Sequence, residues 1–278
     1  MTHDPLIIFR GGGDLATGSI YRLWKCGFRL LVLETSMPMA VRRQTSVSEA
    51  VFDGTVRVED LTAVRIRSAE EARRVTADGN VPVLVDPEAS CIRTLRPDVV
   101  VDAIVAKKNI GTNRGMAPLT IALGPGFTAG EDVDYVIETM RGHDLGRIIT
   151  RGRALENTGV PGLIAGHSRD RVIRAPAAGV LRHVHEIGDL VEKGELVAWI
   201  TPMPAGGTES GAVPVLSPLS GVLRGLIRDG YPAPPGWKIG DVDPRLSERK
   251  NCFTISDKSR CIAGSVLEII CREIRTGR

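Results

Sequence analysis

Three consecutive glycines, Gly11, Gly12 and Gly13, follow the apolar run at residues 6–9 and precede a helical pattern of apolar residues. With Ala16, they fit the spacing G-x-G-x-x-G/A, which is typical of dinucleotide-binding turns. The first glycine allows a tight turn, the second lets the backbone approach a pyrophosphate, and the small third residue allows close packing of helix on strand. Free N–H groups at the helix start attract anions, so this spacing predicts phosphate binding.

An acidic residue stands where a ribose-binding group is expected. A second apolar run at residues 29–33 ends at Glu34, about 20 residues beyond the glycines, which is the distance that the dinucleotide-binding pattern requires. The strand, glycine turn, helix, second strand and acid are therefore in register. The alternative interpretation is that the glycines serve only a tight corner between a strand and a helix.

Basic and polar residues follow other predicted strands. Arg42 and Arg43 come soon after the second strand and could reach a ribose phosphate or another anion. Lys107, Lys108 and Asn109 follow the run at 99–104, and ligands of open parallel sheets bind beyond the carboxyl ends of strands. The alternative for both groups is a solvated turn.

A second glycine loop, residues 124–130, also follows a predicted strand. It lacks the Lys-Ser/Thr pair of a P-loop, but its N–H groups could wrap an anion. Residues 138–147 add a carboxylate, arginines and a histidine, the parts needed for acid–base or anion chemistry, or else form a charged inter-domain loop. No catalytic residue can be named from spacing alone. The predicted cofactor-binding residues are Gly11, Gly12, Gly13, Asp14, Glu34, Arg42, Arg43, Lys107, Lys108, Asn109, Gly124, Gly126, Thr128, Arg141 and His143.

The elements that would position these residues alternate between strand and helix. A predicted strand at 64–67 and near-continuous apolar runs at 81–85 and 99–104 are separated by helical patterns. Such runs are typical of a parallel sheet covered on both faces. The first part of the chain is therefore predicted to be an α/β, Rossmann-like parallel sheet domain.

The second half consists of short strands rich in valine and glycine. Residues 175–182 are echoed by residues 217–224, and this repeat resembles the barrel-sandwich hybrid fold of biotinyl and lipoyl carrier domains. The connection at 202–211 contains no lysine, and Lys193 lies in an earlier turn, so we expect neither biotin nor lipoate. His183 and His185 alternate on one strand, but without a third ligand they predict no metal site.

These patterns divide the chain into three predicted segments. They are a nucleotide-binding domain at 1–167, a barrel-sandwich hybrid domain at 168–250, and a C-terminal helix at 251–278 that packs on the core or on a second subunit. If the C-terminal helix packs on a second subunit, the protein is a homo-oligomer, and this is the state we expect.

Composition excludes several classes of protein. The net charge of +3 over 278 residues is too small to indicate a nucleic-acid partner. No apolar run approaches the length of a membrane span, and no cationic, apolar leader precedes the first strand. The five cysteines form no C-x-x-C pair and indicate reduced thiols, so a cytoplasmic location is expected.

Several longer motifs are similar to those of the YqeB family, accessory proteins of selenium-dependent molybdenum hydroxylase systems. They are the opening at 11–18, the pair Arg42-Arg43, the loop 124–130, the segment 138–147, Lys238–Arg245 and residues 255–258. The resemblance implies a maturation factor that binds a nucleotide or a nucleotide-bearing molybdenum cofactor, with a molybdenum hydroxylase or its maturation proteins as partner. Two alternatives remain open: an NAD(P)-dependent oxidoreductase, and a binding scaffold with a vestigial nucleotide pocket.

Overall fold

The structure is a computed structural model that describes residues 4–202 and 211–276. The chain divides into two compact units, of which the first comprises Met1–Pro38, Thr45–Thr158 and Ile255–Arg278, and the second comprises Met39–Gln44 and Gly159–Thr254. We expect neither biotin nor lipoate because the connection at 202–211 contains no lysine. Apart from its two end residues, that connection lies outside the described residues.

The first unit is built on one large sheet and a small accessory pair. Its strands are β1 (Leu6–Arg10), β2 (Arg29–Glu34), β3 (Thr55–Val58), β4 (Leu61–Ile66), β5 (Val81–Val85), β6 (Val99–Asp102), β7 (Leu119–Leu123), β8 (Thr128–Ala129), β9 (Tyr135–Ile137), β10 (Ile148–Ile149) and β11 (Gly152–Arg153). The large sheet has the order β10-β9-β7-β6-β1-β2-β5-β4-β3, and β11 pairs with β8. The buried, almost wholly apolar β1 therefore lies in the middle of the sheet, between β6 and β2.

The α-helices of the first unit are mostly short. They are α1 (Asp14–Lys25), α2 (Ala50–Asp53), α3 (Ala72–Ala77), α4 (Ile92–Leu95) and α5 (Asp257–Thr276). Short 3-10 segments occur at Val47–Glu49, Ala69–Glu71 and Arg114–Met116 in the first unit, at Arg169–Arg171 and Leu246–Phe253 in the second unit, and at Arg43–Thr45, which spans a boundary between the units in the sequence. Across the described residues, no helix has the length and apolar character needed to cross a membrane.

The predicted fold class is wrong for the first unit, because the sheet is mixed and not parallel throughout. The strand β3 pairs antiparallel with β4, and β10 pairs antiparallel with β9, so both edges are antiparallel. The antiparallel hairpin of β3 and β4 extends the sheet beyond β5. The edge strands are short and partly exposed, so they lack the continuous apolar runs on which the prediction rested.

The second unit contains antiparallel sheets. Its strands are β12 (Val172–Arg174), β13 (Gly179–His183), β14 (Leu190–Val191), β15 (Leu196–Thr201), β16 (Val213–Leu216), β17 (Gly221–Leu226), β18 (Pro232–Ala233) and β19 (Lys238–Asp243). They form the orders β12-β19-β17-β14 and β16-β15-β13-β18. The repeated segments supply β13 and β17, one to each sheet. We correct the predicted class here too, and describe the unit as two antiparallel sheets without assigning it to the barrel-sandwich hybrids, because the repeat alone does not define their topology.

The helix α5 completes the core of the first unit by packing on α1. Its buried residues Ile262, Val266 and Ile269 belong to the same apolar cluster as Ile20 and Leu23 of α1. Each of these helices buries one stripe and leaves the opposite stripe polar, as the spacing of apolar residues requires.

The two helices approach closely at Gly18 and Ser259. The Gly18 N–H donates to the Ser259 Oγ at 3.2 Å, and that hydroxyl donates to the Asp14 carbonyl oxygen at 2.9 Å. A Cβ placed on Gly18 would lie 2.9 Å from the carbonyl carbon and oxygen of Ser259, which is too close for a real contact. Only glycine is therefore compatible with this helix–helix distance.

We predict that Gly18→Ala lowers the free energy of unfolding by about 1–3 kcal/mol, because the added methyl group must push α5 away from α1. Urea denaturation measures the change. Gly264→Ala is the matched control, since Gly264 lies within α5 and has no atom within 4 Å of its Cβ position. That variant should be unchanged or more stable by about 0.5–1 kcal/mol. Equal losses in the two variants would contradict the prediction.

Candidate functional site

The glycine turn lies at the carboxyl end of β1, where the order of strands reverses. The chain passes from β1 to β2 on one side, whereas β6, β7 and β9 continue on the other side. Gly11 has φ +95°, and its Cβ would lie 2.9 Å from the Ile104 nitrogen and 3.0 Å from the Ala103 carbonyl oxygen. Both the conformation and the close approach require glycine at this position.

Gly13 differs from Gly11 because the space beside it is open. It is the N-cap of α1, with an ordinary extended conformation (φ −65°, ψ −179°), and no atom lies within 4 Å of its Cβ position. Its carbonyl oxygen accepts the first intrahelical hydrogen bond, from the Thr17 nitrogen at 2.9 Å. A group of a ligand can therefore approach the positive end of α1 on the Gly13 side.

Glu34 lies against the glycine turn, as the spacing predicts. Its carboxylate accepts hydrogen bonds from the Gly12 N–H at 2.6 Å and from the Thr35 N–H at 3.0 Å. Burial raises the pKa of Glu34, and the two backbone hydrogen bonds oppose that rise. The carboxylate therefore holds the turn in place, and the Gly12 N–H faces Glu34 instead of a ligand.

A buried polar network lies next to the glycine turn, at the carboxyl ends of β1 and β6. The sequence did not indicate this network. The Arg10 guanidinium donates to the Thr112 Oγ at 2.5 Å and to the Pro87 carbonyl oxygen at 3.1 Å. The Thr112 hydroxyl donates to the Asp102 carboxylate at 2.5 Å. The same carboxylate also accepts a hydrogen bond from the Ile104 N–H at 3.2 Å. Burial raises the pKa of Asp102. The network fixes the ends of β1 and β6, the strands that flank the site.

The next predicted residues lie in loops at the same edge of the sheet. Lys107 and Lys108 are exposed, whereas the Asn109 side chain donates to the Thr112 carbonyl oxygen at 2.8 Å and shapes the loop. Gly126 (φ +109°) packs on this loop, since its Cβ would lie 2.6 Å from the Lys108 Cα.

The second glycine loop is held by its own contacts. A Cβ on Gly124 would lie 2.6 Å from the Thr139 Oγ. The Thr128 Oγ accepts from the Arg153 Nε at 2.8 Å, and the Thr128 N–H donates to Asp132 at 2.7 Å. These contacts give Thr128 a structural role in joining β8 to β11.

The remaining predicted residues have protein partners or face solvent. Arg141 donates two hydrogen bonds of 3.0 Å to the Asp257 carboxylate, and His143 is exposed. Arg42 and Arg43 belong to the second unit. There Arg42 donates to the carbonyl oxygens of Asn251 (3.0 Å) and Thr254 (3.2 Å), and Arg43 pairs with Glu186. Binding of a ligand by either arginine stays a prediction.

Lys258, near the C-terminal end of the chain, also belongs to the first unit, in the helix that packs on α1. Lys258 lies in the first turn of α5 and is half-buried. Burial and the neighbouring Arg141 lower its pKa, while the carboxylates of Asp14, Glu138 and Asp257 act in the opposite direction. The tetrapeptide at 255–258 is one of the YqeB-like motifs, and that is the sequence signal that could have identified Lys258.

The described residues contain no group of three or more histidine, cysteine, aspartate or glutamate side chains placed to hold a metal ion. His183 hydrogen-bonds to the Ile227 carbonyl oxygen at 2.8 Å and to Glu186 at 3.2 Å. His185 pairs with Asp189 at 3.5 Å and with Glu195 at 3.1 Å.

Comparison with known proteins identifies a homologue. No protein-family model matches the chain. The chain is 49% identical, over 265 residues, to "Uncharacterized protein YqeB" of Escherichia coli (strain K12). The aligned part is 95% of this chain and 47% of that protein, so the chain spans about half the length of the curated relative it matches. The comparison supports the resemblance to YqeB noted in the sequence.

Comparison with solved structures finds weaker likenesses. An aspartoacylase family protein from Mesorhizobium loti has 13% identity and a TM-score of 0.29, with 87% of this chain and 86% of that chain covered. The ectoine utilization protein EutE (DoeB) from Ruegeria pomeroyi has 12% identity, a TM-score of 0.28 and coverages of 86% and 85%. A succinylglutamatedesuccinylase/aspartoacylase from Rhodobacter sphaeroides has 14% identity, a TM-score of 0.28 and the same coverages. Likenesses at these TM-scores support no conclusion about fold or activity.

We predict that Asp102→Asn reduces the pH dependence of stability. Because burial raises the folded-state pKa of Asp102, its protonated form favours folding. This contribution is fully present below the unfolded pKa, about 3.9, and is lost as pH rises through the higher folded value.

The free energy of unfolding of the wild type, relative to that of Asp102→Asn, should therefore fall as the pH rises from about 4 through the raised folded-state pKa of Asp102. Urea denaturation at each pH measures it, and the exposed Asp78→Asn controls for the change in net charge. A difference that stays constant with pH would show that Asp102 is not responsible.

Proposed function

We infer, from the homology to YqeB over nearly the whole chain, that the protein supports the maturation of a selenium-dependent molybdenum hydroxylase. In this proposal, the first unit binds a nucleotide or a nucleotide-bearing molybdenum cofactor at the glycine turn. The hydroxylase, or another of its maturation proteins, is the partner. Support for the hydroxylase role comes from the YqeB-like motifs, and support for the nucleotide comes from the geometry of the turn.

One observation carries the nucleotide proposal: the open space beside Gly13, at the N-terminus of α1 and at the edge of the sheet where strand order reverses. Phosphate groups bind at helix N-termini because N–H groups and the helix dipole point toward them. Ligands of α/β sheets collect where strand order reverses, since the loops diverge there. A pyrophosphate at Gly13 would place a ribose toward the end of β2.

These positions suggest which group of the protein binds each part of the nucleotide. The backbone at Gly13 and the first turn of α1 bind phosphate, and Glu34 accepts hydrogen bonds from the ribose hydroxyls. Glu34 already accepts a hydrogen bond from Gly12, so its carboxylate serves the turn and the ribose together. Lys107 and Lys108 lie on an exposed loop at the same sheet edge and stay candidates for further anion contacts.

The most direct test is mass spectrometry of small molecules released from the purified protein. Release of a molybdopterin dinucleotide supports the proposal. Release of NAD(P), together with turnover of a small substrate, supports an oxidoreductase instead. Absence of any bound nucleotide, and of nucleotide binding in titrations, supports a scaffold with a vestigial pocket.

We predict that Gly13→Val abolishes nucleotide binding and leaves the fold intact. The extended conformation of Gly13 suits valine, and its Cβ position is free of protein atoms, so the methyl groups occupy only the space that a pyrophosphate needs. Calorimetric titration with NAD⁺ and with inorganic pyrophosphate measures the loss. Gly13→Ala, which adds one methyl group, should lose less. Equal affinity of wild type and Gly13→Val would exclude ligand binding at the turn.

We predict that Glu34→Ala weakens binding of a ribose-bearing ligand by about 1–3 kcal/mol, the range for a charged hydrogen bond whose partner is left unpaired. Binding of inorganic pyrophosphate should change less, because it has no ribose. Titration of both ligands into the same variant makes the comparison. Equal losses for the two ligands would mean that Glu34 acts by holding the Gly12 N–H, and not by binding ribose.

A further inference from the structure

Lys258 is a half-buried lysine in the first turn of α5. Among the residues that the structure describes, its Nζ has no hydrogen bond and no ion pair, although its backbone N–H donates to Asp257 at 2.7 Å. Burying a charged amine without a partner is unfavourable. The carboxylates of Asp14, Glu138 and Asp257 act on the amine through their charge, and none of them is hydrogen-bonded to it among the described residues.

Two of the three carboxylates near Lys258 have other partners. Asp257 receives the two hydrogen bonds from Arg141. Glu138 is buried, and its carboxylate oxygens accept from the N–H groups of Met140 at 2.7 Å and Leu155 at 2.8 Å. Two of the three carboxylates near Lys258 are therefore occupied by other groups, the Asp14 carboxylate favours the charged amine, and Arg141 adds a second positive charge.

The packing of α5 on α1 places Lys258 beside the glycine turn. The next residue, Ser259, donates through its hydroxyl to the carbonyl oxygens of Asp14 (2.9 Å) and Leu15 (3.1 Å), in the first turn of α1. Gly13, with its open side, directly precedes that turn. The backbone of Lys258 therefore lies near the start of α1, and the charge of Asp14, the first residue of α1, acts on its amine.

We propose that Lys258 supplies the cationic contact to a phosphate group of the ligand bound at the glycine turn. The proposal rests on the proposed nucleotide-binding function and names a further binding residue for it. The glycine turn offers only neutral N–H groups, and the amine of Lys258 supplies the charge that a phosphate requires. Burial, together with Arg141, lowers the pKa of Lys258, and a bound anion would oppose that effect.

The test uses the full chain, with inorganic pyrophosphate as the probe. Lys258→Met keeps the length of the side chain and removes the charge, Lys258→Arg restores a cation, and Lys250→Met removes an exposed lysine of the second unit as a matched control. Calorimetry gives the dissociation constant for each variant. In parallel, the wild type is acetylated with an N-hydroxysuccinimide ester, with and without pyrophosphate, and modification of Lys258 is followed by peptide mass spectrometry.

We expect Lys258→Met to raise the dissociation constant for pyrophosphate by about tenfold to a hundredfold, the loss of one charged hydrogen bond. Lys258→Arg should recover most of the affinity, and Lys250→Met should match the wild type. Pyrophosphate should also protect Lys258 from acetylation.

Two kinds of failure can be told apart. Wild-type affinity in Lys258→Met, combined with lost affinity in Gly13→Val, overturns the role of Lys258 and leaves ligand binding at the turn standing. The same holds if pyrophosphate binds without protecting Lys258. If the wild type does not bind pyrophosphate, both the role of Lys258 and the nucleotide-binding function are overturned.

Discussion

The close approach of α1 and α5 is the constraint on which the first unit depends. At Gly18 the helices are too near for any side chain, and the Ser259 hydroxyl joins them through hydrogen bonds to both ends of one helical turn. This contact closes the apolar core over β1 and brings the first turns of the two helices together. The candidate site lies at those first turns, so the geometry that stabilises the unit also assembles the site.

The parts of the site that could be predicted are those with local signals. The glycine turn, the helix after it and Glu34 follow from spacing and periodicity within one stretch of chain, and the structure places them together. The apolar runs predicted as strands at 81–85 and 99–104 contain β5 and β6 of the structure. The sequence predicted their existence but not their order in the sheet, because local periodicity carries no information on which strands pair.

The parts that could not be predicted depend on contacts between distant residues. In the sequence, Arg10 and Asp102 are two ordinary charged residues at the ends of predicted strands. Only in the fold are they buried together and joined through the Thr112 hydroxyl. Lys258 gains its position only from the packing of α5 on α1. The antiparallel edges that overturn the predicted fold class are short and partly exposed, and their pairing is set by the sheet they join.

The first unit is discontinuous in sequence, since Ile255–Arg278 joins it after the whole of Gly159–Thr254. A ribosome makes the chain from the N-terminus, so α1 and the sheet leave the exit tunnel well before α5 does. During that interval the apolar stripe of α1 has no helix to cover it and stays exposed, which favours aggregation. Translation of the second unit therefore sets the earliest moment at which the first unit can reach its native state.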